Sequence, residues 1–179
     1  MSEEKRIEMY KNFMPKSTMN MIPTLKSLGF FTAPASIKYH GKYPGGLFDH
    51  SLETTKALVQ LTNKLGLKWE NLDSPFIVGM FHDLCKCDNY KINPYDELVP
   101  NPYIRNLDII IPGHGDKSVI MLQKFISLTD EEITCIRWHM GAYETDTKMW
   151  DYYGRAIERY PNVLYTHTAD MIASKIKGI

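Results

Sequence analysis

Cysteine is scarce in this chain: Cys85, Cys87 and Cys135 are the only three. An odd, small number excludes a disulfide framework and fits a reducing, cytoplasmic compartment. Charge of either sign is not in excess, because 21 Lys+Arg balance 21 Asp+Glu. Nothing in that balance resembles a basic footprint for a large nucleic acid, although a local patch could still exist. No apolar run approaches the ~18 residues of a membrane-spanning helix. The opening Met1-Ser2-Glu3-Glu4-Lys5 lacks the apolar core of a signal peptide. Internal repeats and low-complexity tracts are missing too. What is present is an ordinary globular composition, 44% hydrophobic and 23% charged over 179 residues. The expectation is one domain over 1–179, able to bury roughly 70% of its unfolded surface.

The apolar residues recur at spacings of three and four. His50, Thr54, Leu58, Leu61 and Leu65 predict a helix over about 47–66. Asp73 or Ser74 followed by Pro75 reads as a helix start. It opens Phe76-Ile77-Val78-Gly79-Met80-Phe81, apolar on every side and therefore a buried, central helix. A further helix follows Gly115, with Val119, Leu122 and Ile126 on one stripe. Thr129 and Glu132 form a capping-box pattern opening another at about 130–140. Trp150 to Arg159 and about 162–177 complete the set, the last ended by Gly178. One or two more helices are expected near 3–13 and 18–28, the charged start Glu3 to Lys11 reading as a solvated face. Residues 87–113 are irregular, with Asn93-Pro94, Pro100-Asn101-Pro102 and Pro112-Gly113. Tyr90-Lys91-Ile92 is expected to pair with Ile109-Ile110-Ile111 in a short hairpin. Long loops in compact domains often line binding sites.

Chemistry gathers where helices meet. His82-Asp83 terminates the buried helix, and burying an imidazole beside a carboxylate is costly without partners or a metal. His50 lies on the inward stripe of its helix, His114 sits where a loop enters a helix, and His139 and Asp170 lie on later helices. Successive groups are roughly 25–32 residues apart, about one helical hairpin, so each can return to the same end of a bundle. Four imidazoles and two carboxylates suffice for two metal ions.

The order H…HD…H…H…D resembles the HD superfamily of metal-dependent phosphohydrolases, over about 37–175, with 1–36 as an N-terminal helical segment. Tyr39-His40-Gly41 and Gly45-Gly46-Leu47…His50-Ser51 are similar to the opening of the HD domain in bacterial 3′-5′ exoribonucleases. The family's HD-x-G-K appears as His82-Asp83-Leu84-Cys85-Lys86, with Cys85 in place of glycine and the lysine at its spacing. No oligonucleotide-binding domain precedes this stretch and no Gly-Tyr-Pro motif follows it. The first absence weakens the expectation of exoribonuclease activity, and by the second the cyclic-di-nucleotide subgroup is not indicated. The resemblance implies an all-α HD-domain bundle of about six to eight helices with a short irregular or hairpin insertion. It implies His50, His82, Asp83 and Asp170 as ligands of one ion, with His114 and His139 as the extra pair of the two-metal branch.

Such a site would neutralise a phosphoester's oxygens with two cations and acidify a water. The metal could be Fe, Mn, Zn, Co, Ni or Mg, since histidine and carboxylate accept several. Asp83 would bridge the ions or hold the water, and Lys86 would meet the phosphoryl charge, although a solvated helix-end lysine is an equal reading. Lys117 and Ser118, near a helix N-terminus, could bind phosphate or be ordinary first-turn residues. His40 could touch substrate or only cap structure. His167 shares a face with Asp170 and reads as packing rather than a seventh ligand. Cys85-Lys86-Cys87 lacks the partners of a zinc pair. Tyr143, Trp150, Tyr152 and Tyr153 could stack a base, but aromatics on helices are usually core. The ten methionines read as core filler.

The expected activity is hydrolysis of a small phosphorylated substrate, a nucleotide or short nucleic-acid phosphoester, with no membrane partner. Two alternatives share the ligand pattern: a mixed-valence di-iron oxygenase of the same superfamily, and a nucleotide-binding sensor without turnover.

Overall fold

The computed structural model describes residues 1–94, 102–143 and 146–179. Pro100 and Asn101 of the expected irregular segment lie outside the described residues. The helices are α1 (Glu3–Phe13), α2 (Ile22–Ser27), α3 (Gly46–Leu65), α4 (Ser74–Phe81), the single turn α5 (Lys86–Asn89), α6 (Gly115–Leu122), α7 (Asp130–Arg137), α8 (Trp150–Arg159) and α9 (Asn162–Met171). With one short hairpin among the described residues, β1 (Tyr90–Ile92) and β2 (Tyr103–Arg105), this is an all-α fold consistent with an HD-like helical bundle. Among the described residues no helix is long and apolar enough to cross a membrane.

Helix starts follow local chemistry. Thr129 accepts from the Glu132 backbone N–H while the Glu132 carboxylate accepts from that of Thr129, a complete capping box on α7. Pro75 opens α4, where its missing N–H has no intrahelical partner to lose. The second N-terminal helix differs from the expected 18–28. Lys16–Met21 forms a 3-10 turn, and an α-helix begins only at Ile22, beside Pro23. A proline interior to an α-helix would lack its hydrogen bond, so the chain restarts there. The last helix also differs: α9 ends at Met171 and widens into a π turn over Ile172–Ile176.

The hairpin partner is a correction. Tyr90–Ile92 pairs antiparallel with Tyr103–Arg105, in the register Tyr90↔Arg105, Lys91↔Ile104 and Ile92↔Tyr103, not with Ile109–Ile111. Asn106 explains the difference. Its backbone N–H donates to Asn89 O at 3.0 Å and its side-chain amide to Asp88 O at 2.8 Å, which closes the ladder before Ile109 is reached.

The core runs through α3 and α4 and takes in the N-terminal segment. Phe30, Phe31, Phe48, Phe81 and Tyr10 form an aromatic cluster of edge-on and tilted pairs with centroids 5.4–6.5 Å apart. The charged start is not wholly a solvated face. Arg6 is 3% exposed and grips Asp49 at the start of α3 through two hydrogen bonds, 3.0 and 2.9 Å. An Arg–carboxylate fork of this kind fixes orientation as well as charge.

Two glycines set the approach of the site-bearing helices. A Cβ on Gly79 would lie 2.6 Å from Thr55 Cα, so only glycine lets α4 close on α3 and bring His82 toward His50. A Cβ on Gly115 would lie 2.1 Å from Arg137 O, and its absence seats the start of α6 on the end of α7, next to His139.

Candidate metal centre

His50 on α3, His82 and Asp83 just past α4, His114 at the start of α6, His139 just past α7 and Asp170 near the end of α9 come together in one cluster. The helix ends decide this. Glycine contacts draw α4 onto α3 and α6 onto α7, and the ligand-type residues sit within or just beyond those termini.

Asp83 is the centre, and its two oxygens face different neighbours. Oδ2 lies 3.6 Å from His50 Nε2, 3.4 Å from His82 Nε2 and 2.5 Å from Lys86 Nζ. Oδ1 lies 3.6 Å from His114 Nδ1 and 3.5 Å from His139 Nε2. Asp170 Oδ1 sits 3.2 Å from His50 Nε2.

Backbone carbonyls fix three of the imidazoles. His82 Nδ1 bonds Gly79 O at 2.8 Å, His139 Nδ1 bonds Ile136 O at 2.7 Å, and His50 Nδ1 bonds Ile179 O at 2.8 Å. A carbonyl only accepts, so each Nδ1 carries a proton, and a ring that loses its second proton is left with a lone pair on Nε2. With both rings in that form, His50 Nε2 and His82 Nε2 are two acceptors 3.3 Å apart. His139 Nε2 and Asp83 Oδ1 are buried with no hydrogen-bond partner among the described residues. Converging lone pairs without hydrogens between them repel, and buried orphan acceptors cost about 1–3 kcal/mol each. A cation among them removes both penalties. The donor set, imidazole nitrogen plus carboxylate oxygen with backbone-oriented rings, therefore suits divalent metal ions.

The ionisation pattern follows the same charges. Burial would raise the Asp83 carboxyl, but Lys86 and the surrounding imidazoles hold it well below the usual range. Asp170 is held down likewise, by His50 and His82 against its own burial. For Lys86, burial disfavours the ammonium, yet Asp83 outweighs it and the net shift is upward. The nearby Asp83 carboxylate, then Cys85, pushes His114 up to about 10 against its burial. Desolvation pulls His139 down.

A cavity of about 290 Å³ opens over Asp83, Lys86, His114 and Asp170. His40 lines it, its ring 4.8 Å from that of His50 and its Nε2 buried without a partner. Desolvation, then the neighbouring His50, lowers His40 to about 4. Lys117 and Ser118 do not line this cavity. Lys117 Nζ bonds Asp88 and, at 3.1 Å, Asn89 Oδ1, while Ser118 Oγ accepts from Cys85 N at 3.1 Å. His167 bonds the backbone O of His139 at 2.9 Å and stays outside the cluster. Tyr143 lines the cavity, whereas Tyr153 packs on Trp138. Sequence reasoning missed Tyr90, Arg105 and Lys175 on the cavity wall. The first two come from the hairpin, and only its true register shows that Tyr90 and Arg105 are cross-strand partners facing the site.

No protein-family model matches the chain, and no solved structure matches it. A curated relative is the dihydroneopterin 2',3'-cyclic phosphate phosphodiesterase of Methanocaldococcus jannaschii, 34% identical over 92 residues. The match covers 49% of this chain and 35% of that protein, about a third of the relative's length.

Proposed function

We propose that this chain is a metal-dependent phosphohydrolase of the HD type, cleaving a phosphoester of a small nucleotide-like substrate. The observation that carries the reading is the split carboxylate of Asp83, with Oδ2 toward His50 and His82 and Oδ1 toward His114 and His139. In this reading His50, His82, Asp83 and Asp170 hold one divalent ion, and Asp83, His114 and His139 a second. Bound there, divalent ions supply positive charge against the phosphate oxygens and an activated water.

The chain's own residues supply the rest. Lys86, 9% exposed and anchored to Asp83, presents a buried ammonium at the cavity floor where phosphoryl charge develops. Asp83 keeps that ammonium in place and stays ionised. His40 offers a buried, unpartnered ring nitrogen to a substrate oxygen. Arg105 and Lys175 on the cavity wall attract an anion, and Tyr90 and Tyr143 offer flat faces to a heteroaromatic ring. The named activity of the archaeal relative, on a cyclic phosphate, supports phosphoester hydrolysis over the oxygenase reading.

The test is hydrolysis of a panel of 2',3'-cyclic, 3',5'-cyclic and 5'-monophosphate nucleotides by purified chain reloaded with Mn, Fe, Co, Ni or Zn. Metal-dependent release of product, lost in Asp83→Ala, is the expected result. No turnover on any member with any metal, from protein that binds metal, would overturn it.

A further inference from the structure

Cys85 stands where the resembling HD-x-G-K pattern has glycine, and glycine offers no side-chain donor. In this fold Cys85 is fully buried, at the turn between Asp83 and α5. Its backbone N–H donates to Ser118 Oγ at 3.1 Å, which ties this turn to the first turn of α6 that carries His114. Cys85 Sγ lies 4.0 Å from His114 Nδ1, and Asp83 Oδ1 lies 3.6 Å from that same nitrogen. The ligand atoms of Asp83, Cys85 and His114 all fall within 4.8 Å of one another. Asp83 Oδ1, the oxygen on the His114 side, is also buried and has no hydrogen-bond partner among the described residues.

We propose that Cys85 is a thiolate ligand to the second ion, completing with Asp83 and His114 a mixed sulfur, oxygen and nitrogen site. This rests on the metal reading above but concerns a residue which that reading does not use. An ion about 2.3 Å from sulfur and about 2.0 Å from nitrogen allows a separation up to about 4.3 Å, and the observed gap falls inside that limit. On binding, the Sγ–H proton leaves to solvent and a sulfur–metal bond takes its place, with no change of oxidation state. Asn89 Nδ2 donates to Cys85 Sγ at 3.8 Å, an outer hydrogen bond of the kind that steadies a ligand carrying negative charge. A soft sulfur donor biases this site toward Zn, Co or Fe and away from Mg and Mn. Among the described residues, neither Cys87 nor Cys135 joins such a group.

Cobalt(II) reports sulfur ligation directly, because a thiolate bound to it gives an intense near-ultraviolet charge-transfer band that imidazole and carboxylate do not. The full chain, stripped and reloaded with cobalt alone, is compared with Cys85→Ser, with Cys85→Gly, which restores the resembling residue, and with Cys135→Ser. The band is expected in the unaltered chain and in Cys135→Ser and absent in both Cys85 variants, which still bind cobalt through the untouched first set. Zinc affinity at the second position should fall at least about 10-fold in Cys85→Ser, the lower end of what losing a supporting partner costs a metal site. Two bound cobalt ions with no band, a band surviving in Cys85→Ser, or no cobalt bound at all would overturn the proposal. A band that depends on Cys85 in protein with no turnover would leave it standing while removing the hydrolase reading.

Discussion

Asp83 Oδ1 and His139 Nε2 face each other at 3.5 Å, both buried and neither hydrogen-bonded to any described group. Two acceptors so placed are tolerable only with positive charge between or beside them. The opposite oxygen of the same carboxylate already has its cation, Lys86. The asymmetry separates the two halves of the cluster.

Asp83→Ala removes the one group shared by both halves. Turnover should fall by at least about two orders of magnitude, the scale of losing one charge-stabilising group. Elemental analysis of the same preparation should show metal lost in parallel. Near-normal turnover would remove Asp83 from the centre of the scheme.

His114→Ala combined with His139→Ala leaves His50, His82, Asp83 and Asp170 untouched. Metal content should drop from two ions per chain to one, with a steep loss of turnover. An unaltered, active chain that holds a single ion at saturation would sink the two-ion reading.

Chelation should lower thermal stability as well as activity. A ligand bound only by the native state stabilises it by about 2.7 kcal/mol at a hundred times its Kd. Removing the ion also leaves the lone pairs of His50 and His82 opposed at 3.3 Å. A melting curve with and without chelator, then with metal restored, reads this; identical curves would mean that the cluster is stable empty.

Arg105→Ala tests the cavity wall. Arg105 lies on β2, outside the His/Asp cluster, so metal content should not change. KM for an anionic substrate should rise about 10-fold, one charge-assisted contact being worth about 1.5 kcal/mol, while kcat changes less. A variant with unchanged KM would place substrate elsewhere.

Arg6→Ala breaks the fork on Asp49, whose side chain is 17% exposed. The partial exposure of Asp49 softens the loss, to about 2 kcal/mol in urea unfolding. Because Asp49 precedes His50, metal affinity should weaken too. Unfolding at unchanged urea concentration would count against a structural role for the pair.

Much of the framework was legible in the chain. The three-and-four spacing from His50 to Leu65 marked α3 to within a residue or so, and Thr129 with Glu132 marked the start of α7. Both signals are local, since a helical stripe or a cap depends on residues three or four apart. The order of His50, His82, Asp83, His114, His139 and Asp170 was legible too, and the fold gathers all six. What the sequence could not carry was anything fixed by contact between distant elements. Arg6 looked like a solvated helix residue until Asp49, far along the chain, came to meet it. Lys117 could be read either as a phosphate contact or as an ordinary first-turn residue, and tertiary packing sets it against Asp88 and Asn89. The hairpin partner depended on where Asn106 closes the ladder, a choice among nearby apolar runs that propensity alone does not separate. The division of Asp83's two oxygens, and the nearness of Cys85 to His114, came only from the packing of α3, α4, α6 and α7 on one another. That packing includes close approach at Gly79 and Gly115, where the missing Cβ matters only once a neighbouring backbone is there.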